Sequence, residues 1–189
     1  MKIAVIGAGN IGRTLGGKWT AAGHEVVYGV RRPDEPGTAA VADAVAGAGV
    51  VVLAVPGGAA KDVVASLGGE LEGKVVVDAT NDVQGSGKLH ALDELADGAH
   101  PVRAFNTLGW ENFADPVVGG VTADLLYAAE EGVGKETAET LIRDVGLEPV
   151  WLGGVDAFDV VDSVTRLWFT LALQRQLGRR LAFKVLRDA

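Results

Sequence analysis

Three glycines near the amino terminus have the spacing of a phosphate-binding loop. Gly7, Gly9 and Gly12 form a G-x-G-x-x-G pattern that directly follows the apolar run KIAVI and directly precedes an amphipathic stretch. In a strand–loop–helix unit of this kind, the first glycine permits a tight turn, the second lets the backbone approach a pyrophosphate, and the third lets the helix pack closely on the strand. Free N–H groups at the helix start would face the phosphates. The pattern predicts a dinucleotide-binding site.

The end of the next predicted strand bears on which dinucleotide is bound. The chain reads YGVRRP there, and Arg31 and Arg32 stand where NAD-binding proteins usually carry Asp or Glu, about 20 residues beyond the glycines. No carboxylate at this place would repel a 2′-phosphate, and a guanidinium can bind phosphate through two hydrogen bonds or stack on adenine. Asp34 and Glu35 come later and are expected in a loop. The alternative is that both arginines are solvated loop charges, and the combination favours NADP(H).

Residues at the ends of three later apolar runs are candidates for the nicotinamide half of the site. In a doubly wound sheet, ligands bind in the crevice outside the carboxyl ends of the strands. The candidates at these ends are Val55, Pro56, Thr80, Asn81, Asn106, Thr107 and Leu108. Val55 and Pro56 would form an apolar edge beside the ribose or ring, whereas the amides and hydroxyls suit the carboxamide, the ribose or the hydride acceptor. The alternative is that such residues only end strands and cap turns.

The residue types of acid–base and metal chemistry are poorly placed in this chain. His24, His90 and His100 fall in turns or loops, none of them at an evident strand end with an acid partner. There is no Tyr-x-x-x-Lys pattern, no metal-ligand spacing of acids and histidines, and no cysteine. We therefore expect no catalytic acid–base residue and no metal. Hydride exchange between two bound redox cofactors would need chiefly correct stacking of their rings.

The elements that must position these residues alternate between short β-rich runs and helical stretches. The predicted strands are KIAVIG, EVVYGV, VVVLAVP, KVVVDAT and HPVRAFN. Near-continuous apolar strands joined by helices predict a parallel sheet that is covered on both faces. TADLLYAAE and EPVWLG flank the helical KETAETLIRDVG and would extend the sheet. The sequence predicts an α/β fold built on a doubly wound parallel Rossmann sheet.

Residues 154–189 differ in pattern and predict a C-terminal helical segment. Apolar residues recur there at helical spacing from Val160 onward, with a possible break near Gly178. We expect one domain over residues 1–189, with this segment either packed on the sheet or buried in a homodimer interface. The dimer is the preferred alternative, and a charged residue in place of Trp168 would then yield a monomer.

Composition limits the classes of partner. The chain has 17 basic and 25 acidic residues among its 189, and the net charge of −8 disfavours a broad surface for nucleic acid. No apolar run approaches the roughly 20 residues of a membrane span. The amino terminus enters a strand at Lys2 without a signal-peptide pattern. We expect a cytoplasmic protein that binds small-molecule redox cofactors, and neither nucleic acid nor membrane.

One long stretch, RAFNTLGWENFADP from Arg103 to Pro116, is more specific than the glycine pattern. Together with IAVIGAGNIG, YGVRRP, AVP and VVDATND, it makes the chain resemble the F420-dependent NADP oxidoreductase family. These are small NADP-binding enzymes that pass hydride between NADP(H) and a deazaflavin, coenzyme F420. The resemblance covers nearly the whole chain.

The resemblance implies roles for individual residues. Gly9, Asn10 and Ile11 would lie along NADP, and Arg31, with or without Arg32, would bind its 2′-phosphate. The deazaflavin would stack on the nicotinamide across the strand ends, and the residues implied there are Val55, Pro56, Asn106 and Leu108.

The chain departs from the family pattern at two places, and other functions stay open. Gly29-Val30-Arg31 stands where the family typically has GSR, which removes a hydroxyl contact to the phosphate. Thr80-Asn81-Asp82 stands where several members have TNP, which adds a negative charge near the acceptor. FMN or FAD could replace the deazaflavin, as in metalloreductases with a similar domain. The protein could also be an NADP(H)-binding sensor without turnover, although the polar strand ends favour an enzyme.

Overall fold

The computed structural model describes residues 1–83 and 87–188, and within these ranges the chain forms ten strands and six α-helices. The strands are β1 (Lys2–Ile6), β2 (Glu25–Val30), β3 (Thr38–Ala40), β4 (Val50–Leu53), β5 (Val75–Asp78), β6 (His100–Arg103), β7 (Val117–Val118), β8 (Val121–Thr122), β9 (Asp124–Ala129) and β10 (Glu148–Trp151). The helices are α1 (Asn10–Ala21), α2 (Val41–Ala46), α3 (Gly57–Leu67), α4 (Trp110–Ala114), α5 (Val133–Val145) and α6 (Phe158–Phe169). A π-helical turn (Thr170–Gln174) continues α6. None of the described helices combines the length and hydrophobicity that crossing a bilayer requires.

Eight of the strands form one sheet in the order β10-β9-β6-β5-β4-β1-β2-β3. The predicted α/β Rossmann fold is confirmed, but the sheet is not parallel throughout, because β9 pairs antiparallel with β6 and β10 runs parallel to β9. Residues 104–123 contain the five-residue α4 and the hairpin of β7 and β8, and no long crossover helix. A parallel return needs such a crossover, so the chain re-enters the sheet from the edge at which β6 ends.

A second difference lies at the other end of the sheet. The sequence predicts a helical spacer after the arginines, and the structure instead places the three-residue strand β3 against β2 before α2 begins. Three residues are too few to show the alternation by which a strand is predicted from sequence. This strand matters for the site because it closes the loop that carries Arg31 and Arg32.

The apolar strands are buried by helices on both faces of the sheet. One face is covered by α1 and α5, between which Trp19 is fully buried and donates its indole N–H to the Leu141 carbonyl at 3.0 Å. The Trp19 ring also meets Phe105 edge-on, with 5.6 Å between ring centroids. The other face is covered by α2, α3 and the start of α6. The two layers pack against β1, β4, β5 and β6, whose carboxyl ends lie at one edge of the sheet.

The predicted terminal helix is confirmed as far as Gln174 and is wrong beyond it. Gln176 and Gly178 have φ of 58° and 88°, which turns the chain out of the helix. The segment that follows lies against the start of β9, where the Asp124 N–H donates to the Phe183 carbonyl at 3.0 Å. The regular apolar spacing in this segment therefore reflects packing on the domain and not a helix face.

Trp168 is not available for a contact between subunits. Its side chain is 2% exposed, and its indole N–H donates to the Leu181 carbonyl at 2.9 Å. The guanidinium of Arg179 lies over the ring at 5.5 Å from its centroid. The interface role expected for Trp168 is wrong, because the chain's own tail covers this residue. A charged residue at this position would disrupt the fold.

Stability should depend on pH through Glu139 on α5. Its carboxylate pairs with Lys135 and Arg143, both at about 3 Å, and accepts a hydrogen bond from the Tyr127 hydroxyl. These contacts lower the pKa of Glu139 from its ordinary 4.5 to about 2. The charged form is therefore favoured by folding, and its contribution to stability is complete above pH 4.5 and is lost as the pH falls toward 2.

Replacing Glu139 with Gln is expected to lower the free energy of unfolding by about 1 kcal/mol near neutral pH, since partial exposure to solvent screens the ion pairs. The difference in free energy of unfolding between variant and wild type should disappear as the pH falls from 4.5 toward 2. Urea denaturation over this range measures this difference. Glu136→Gln, an exposed position on the same helix, is the control for loss of one charge. A difference that did not change with pH would contradict the role of Glu139.

Candidate functional site

The glycine loop joins β1 to α1 at the carboxyl edge of the sheet. Gly7 has φ of 107°, a backbone conformation that L residues rarely adopt. Its N–H donates to the Gly29 carbonyl at 3.0 Å, and a Cβ at this position would lie 2.6 Å from the Ala54 carbonyl oxygen. The loop is therefore held tightly between the ends of β2 and β4, and Gly7 is required by the fold itself.

Glycine is present at positions 12 and 9 for two different physical reasons. A Cβ at Gly12 would lie 2.1 Å from the Gly7 carbonyl oxygen, so α1 starts in direct contact with the loop. A Cβ at Gly9 would meet nothing within 4 Å, so the fold does not require glycine there. Open space over the first turn of α1, which carries no acidic residue, is what an approaching phosphate needs. Asn10 is exposed in that turn, whereas Ile11 packs against the core.

A cavity of about 880 Å³ opens beside this loop, over the ends of β1, β2 and β4. This volume is in the range of small-molecule sites. The predicted residues that line the cavity are Gly7, Gly9, Arg31, Arg32, Val55 and Pro56. The lining residues that sequence reasoning missed are Ile6, Ala8, Gly29, Val30, Val41, Ala54, Ala59 and Val63. The helical spacing of Ala59 and Val63 on α3 was a usable signal for two of them.

The two arginines at the mouth of this cavity are free to bind an anion. Arg31 and Arg32 are exposed, and neither makes a hydrogen bond or an ion pair with any part of the chain that the structure describes. Glu35, which lies in the same loop, is paired with Arg13. The Thr38 hydroxyl donates to the Glu35 carbonyl and closes the loop. Two unneutralised guanidiniums therefore stand beside an apolar cavity.

The start of α3 connects the cavity with the next strand end. Pro56 caps α3, and the glycine that follows it lies against the backbone of the β5 loop. A Cβ at Gly57 would be 2.4 Å from the Asn81 carbonyl carbon. Asn81 is half-buried at this junction, outside the cavity lining. The close contact fixes the separation between the Val55–Pro56 edge and the polar residues after β5.

A fully buried guanidinium lies beneath these polar residues. Arg103, at the end of β6, donates from Nη1 to the Thr80 carbonyl at 2.7 Å and from Nη2 to Asn81 Oδ1 at 3.2 Å. Its Nε donates to Asp162 Oδ1 on α6 at 2.9 Å. The side chain thus ties the loop after β5 to β6 and to a helix from the far end of the sequence.

Two buried carboxylates complete this network. Asp78 Oδ1 accepts from the Thr80 N–H and hydroxyl, both at 2.7 Å, and Oδ2 accepts from the Ala91 N–H at 2.7 Å. Asp162 Oδ2 accepts from the Leu89 N–H at 2.9 Å. Sequence reasoning missed both acids. The signal was present, because Asp78 ends an apolar strand and Asp162 stands on the buried stripe of α6.

The polar residues after β6 are more deeply buried than the sequence indicated. Asn106 donates its amide to the Thr80 carbonyl at 3.0 Å, and its Oδ1 is buried without a hydrogen-bond partner among the described residues. The Thr107 hydroxyl is in the same situation. Leu108 is 5% exposed and packs in the core. These three residues, like Thr80, do not line the cavity, and their contact with a cofactor stays a prediction.

His90, Asp159 and Asp162 bring potential ligand atoms within 4.8 Å of one another, but their bonding does not suit a metal ion. Both oxygens of Asp162 are occupied by Arg103 and a backbone N–H. His90 Nδ1 accepts from the Leu92 N–H at 3.2 Å, which leaves the proton on Nε2. Burial lowers the pKa of His90, which favours the neutral ring. The group therefore presents an N–H donor beside a guanidinium, an environment that disfavours a cation.

Comparisons with known proteins agree with this geometry. Residues 2–82 match the family model described as NADP oxidoreductase, coenzyme F420-dependent. The chain is 27% identical to the F420-dependent NADP reductase of Methanothermobacter thermautotrophicus, over 94% of this chain and 91% of that protein. A solved structure from Arthrobacter sp. FB24, proposed to be an F420-dependent NADP reductase, has a TM-score of 0.84 and 26% identity and covers 99% of this chain and 100% of that chain. A pyrroline-5-carboxylate reductase from Coxiella burnetii (TM-score 0.63, 21% identity, 93% of this chain and 69% of that chain) shows a shared fold.

The fold and the glycine loop define a Rossmann fold with a dinucleotide-binding loop, as the sequence predicts, and the proteins that the chain matches are named as NADP oxidoreductases. The predicted resemblance to the F420-dependent NADP oxidoreductase family is confirmed, by the family model for the first strands and by the relatives over nearly the whole chain.

Replacing Gly12 with Ala is expected to weaken NADPH binding by at least about tenfold, because the new Cβ would push α1 off the glycine loop. Gly17→Ala is the matched control, since that glycine is exposed on the same helix and a Cβ there meets nothing within 4 Å. It should bind NADPH normally and unfold at a slightly higher temperature. NADPH fluorescence titration and thermal denaturation measure both effects. Normal binding by the Gly12 variant would show that the close approach is dispensable.

Proposed function

We propose that the protein transfers hydride between NADP(H) and a deazaflavin, coenzyme F420. The observation that carries the proposal is the pair of unneutralised guanidiniums, Arg31 and Arg32, at the mouth of a cavity beside the glycine loop. A 2′-phosphate is the group of NADP that such a pair would select. The deazaflavin is supported by the relatives, which are named F420-dependent NADP reductases and match nearly the whole chain.

In this proposal the residues of the chain bind and orient, and do not exchange protons. The loop Gly7–Gly12 and the first turn of α1, with Asn10 and Ile11, hold the pyrophosphate. Val55 and Pro56 form the apolar edge against which the nicotinamide ribose lies. When both cofactors are bound, NADPH supplies a hydride, and the deazaflavin accepts it with one proton from solution. Correct stacking at the strand ends, with water excluded, is the protein's contribution to the rate.

The further residues assigned to this arrangement follow the predictions from sequence. Thr80, Asn81, Asn106, Thr107 and Leu108 would border the stacked rings at the ends of β5 and β6. The homodimer and the cytoplasmic location also stay predictions.

The decisive experiment follows NADPH fluorescence without oxygen after addition of coenzyme F420, FMN or FAD in parallel. Rapid loss of fluorescence with coenzyme F420 alone is the expected result. Loss with FMN or FAD instead would contradict the deazaflavin proposal and support a flavin reductase. Binding of NADPH without loss in any sample would support the sensor alternative.

Replacing Arg31 with Ala is expected to raise the KM for NADPH by about 10- to 100-fold with little change in kcat. The guanidinium would bind the 2′-phosphate equally in the ground state and the transition state. The KM for NADH, which lacks this phosphate, should not change. Steady-state kinetics with both cofactors measure the split.

Arg187→Ala is the control, because it removes one exposed positive charge from the tail, away from the cavity lining. The corresponding Arg32→Ala variant decides whether the second arginine contributes. An equal rise in KM for NADH and NADPH would show that the arginine does not recognise the phosphate.

A further inference from the structure

The orientation of the Asn81 side-chain amide is determined by its buried neighbour. A guanidinium is a donor only, so the atom of Asn81 that meets Arg103 Nη2 at 3.2 Å must be the amide oxygen. The amide nitrogen then points away from Arg103. It has no hydrogen-bond partner in the described ranges 1–83 and 87–188. Asn81 therefore offers N–H donors, and no acceptor, on its free side.

Arg103 cannot turn to release this amide. Its three nitrogens are engaged by Thr80, Asn81 and Asp162, and the side chain is fully buried. The Thr80 carbonyl also accepts a hydrogen bond from the Asn106 amide at 3.0 Å. A rotated Asn81 would place its own N–H groups against the donor groups of Arg103, which is unfavourable in a buried site. The donor orientation is thus imposed by the fold.

The position of Asn81 indicates which ligand atom would meet these donors. The backbone of Asn81 touches Gly57, and the residue before Gly57, Pro56, lines the cofactor cavity. A dinucleotide that enters along the glycine loop extends its nicotinamide end toward the later strand ends. The uncharged reduced nicotinamide ring carries one strong hydrogen-bond acceptor, the oxygen of its carboxamide.

We propose that Asn81 donates a hydrogen bond to the carboxamide oxygen of the nicotinamide, and that Arg103 is the positioning residue that holds Asn81 in this orientation. This contact rests on the proposed function, because it requires bound NADP(H). It places Asn81 at the nicotinamide ring. One directed bond to the carboxamide limits rotation of the ring in its plane. It thereby helps to set where the reacting carbon lies relative to the acceptor.

The test replaces Asn81 with Asp, which has the same shape and keeps an oxygen for Arg103 but presents a second oxygen where the N–H donors were. Calorimetry would compare NADPH, its thionicotinamide analogue, whose sulfur is a weaker acceptor, and 2′-phospho-ADP-ribose, which lacks the nicotinamide. The variant should bind NADPH at least about tenfold more weakly and the analogue with a smaller loss. Its affinity for 2′-phospho-ADP-ribose should match that of the wild type. Reduced cofactor is used because its ring carries no charge to attract the new carboxylate.

Two further variants separate positioning from folding. Gln174→Glu makes the same amide-to-acid change on an exposed residue and should alter none of the three affinities. Arg103→Lys keeps the charge but cannot reach Thr80, Asn81 and Asp162 together, so it should weaken NADPH binding more than binding of the fragment. If this variant does not fold, the Asn81→Asp result decides alone.

The other outcomes distinguish failure of the Asn81 contact from failure of the proposed function. Equal losses for NADPH and the thionicotinamide analogue would show that Asn81 does not contact the carboxamide oxygen and would overturn the inference. An equal loss for 2′-phospho-ADP-ribose would show a general structural effect and also overturn it. Failure of wild-type protein to bind NADPH at all would overturn the proposed function. Normal NADPH binding without transfer to coenzyme F420 would remove the deazaflavin proposal and leave the Asn81 contact standing.

Discussion

The buried guanidinium of Arg103 is the interaction on which the arrangement at the ends of β5 and β6 depends. The guanidinium is shielded from water, and its positive charge is instead surrounded by contacts to Asp162, Asp78, Thr80 and Asn81. Taking such a charge out of water costs several kcal/mol per ion, and the cost is recovered only if the geometry and the remaining hydrogen bonds are complete. Here they are, because the oxygens of both carboxylates also accept from N–H or O–H groups. The network therefore specifies one arrangement of β5, β6 and α6, since any partial arrangement leaves a charge unpaired.

The two halves of the site are built by different kinds of interaction. The nucleotide half depends on close backbone contacts, such as Gly12 against Gly7, and on arginines left unpaired at the cavity mouth. The half at the ends of β5 and β6 depends on buried polar contacts that converge on one carbonyl, that of Thr80. The first arrangement leaves space and positive charge for a ligand. The second fixes amide orientations, which a ring with one strong acceptor can use.

The sequence predicts those parts of the structure that depend on contacts between residues close together in the chain, and it does not predict contacts between distant residues. The glycine loop and the parallel strands that flank it were predictable, because Gly12 acts on Gly7 within the same strand–helix unit and Gly7 acts on the ends of the adjoining strands. The Arg103–Asp162 pair was not, because 59 positions separate the two residues and no local pattern connects them. The reversal of β9 depends on the shortness of α4, and the end of the last helix depends on two left-handed residues, Gln176 and Gly178. In both cases apolar spacing identifies residues that pack on the domain, but it reports neither the direction of the chain nor where a helix ends.

Every residue that lines the cavity lies between Ile6 and Val63, whereas Asp162 and the tail that covers Trp168 come from the last third of the chain. Because domains generally fold as units, the nucleotide half depends on elements made later, since Trp19 on α1 donates to the Leu141 carbonyl on α5. Arg103 likewise precedes its partner Asp162 by 59 positions. A chain that stopped before α6 would therefore contain every residue that lines the cavity and yet leave the charge of Arg103 without Asp162.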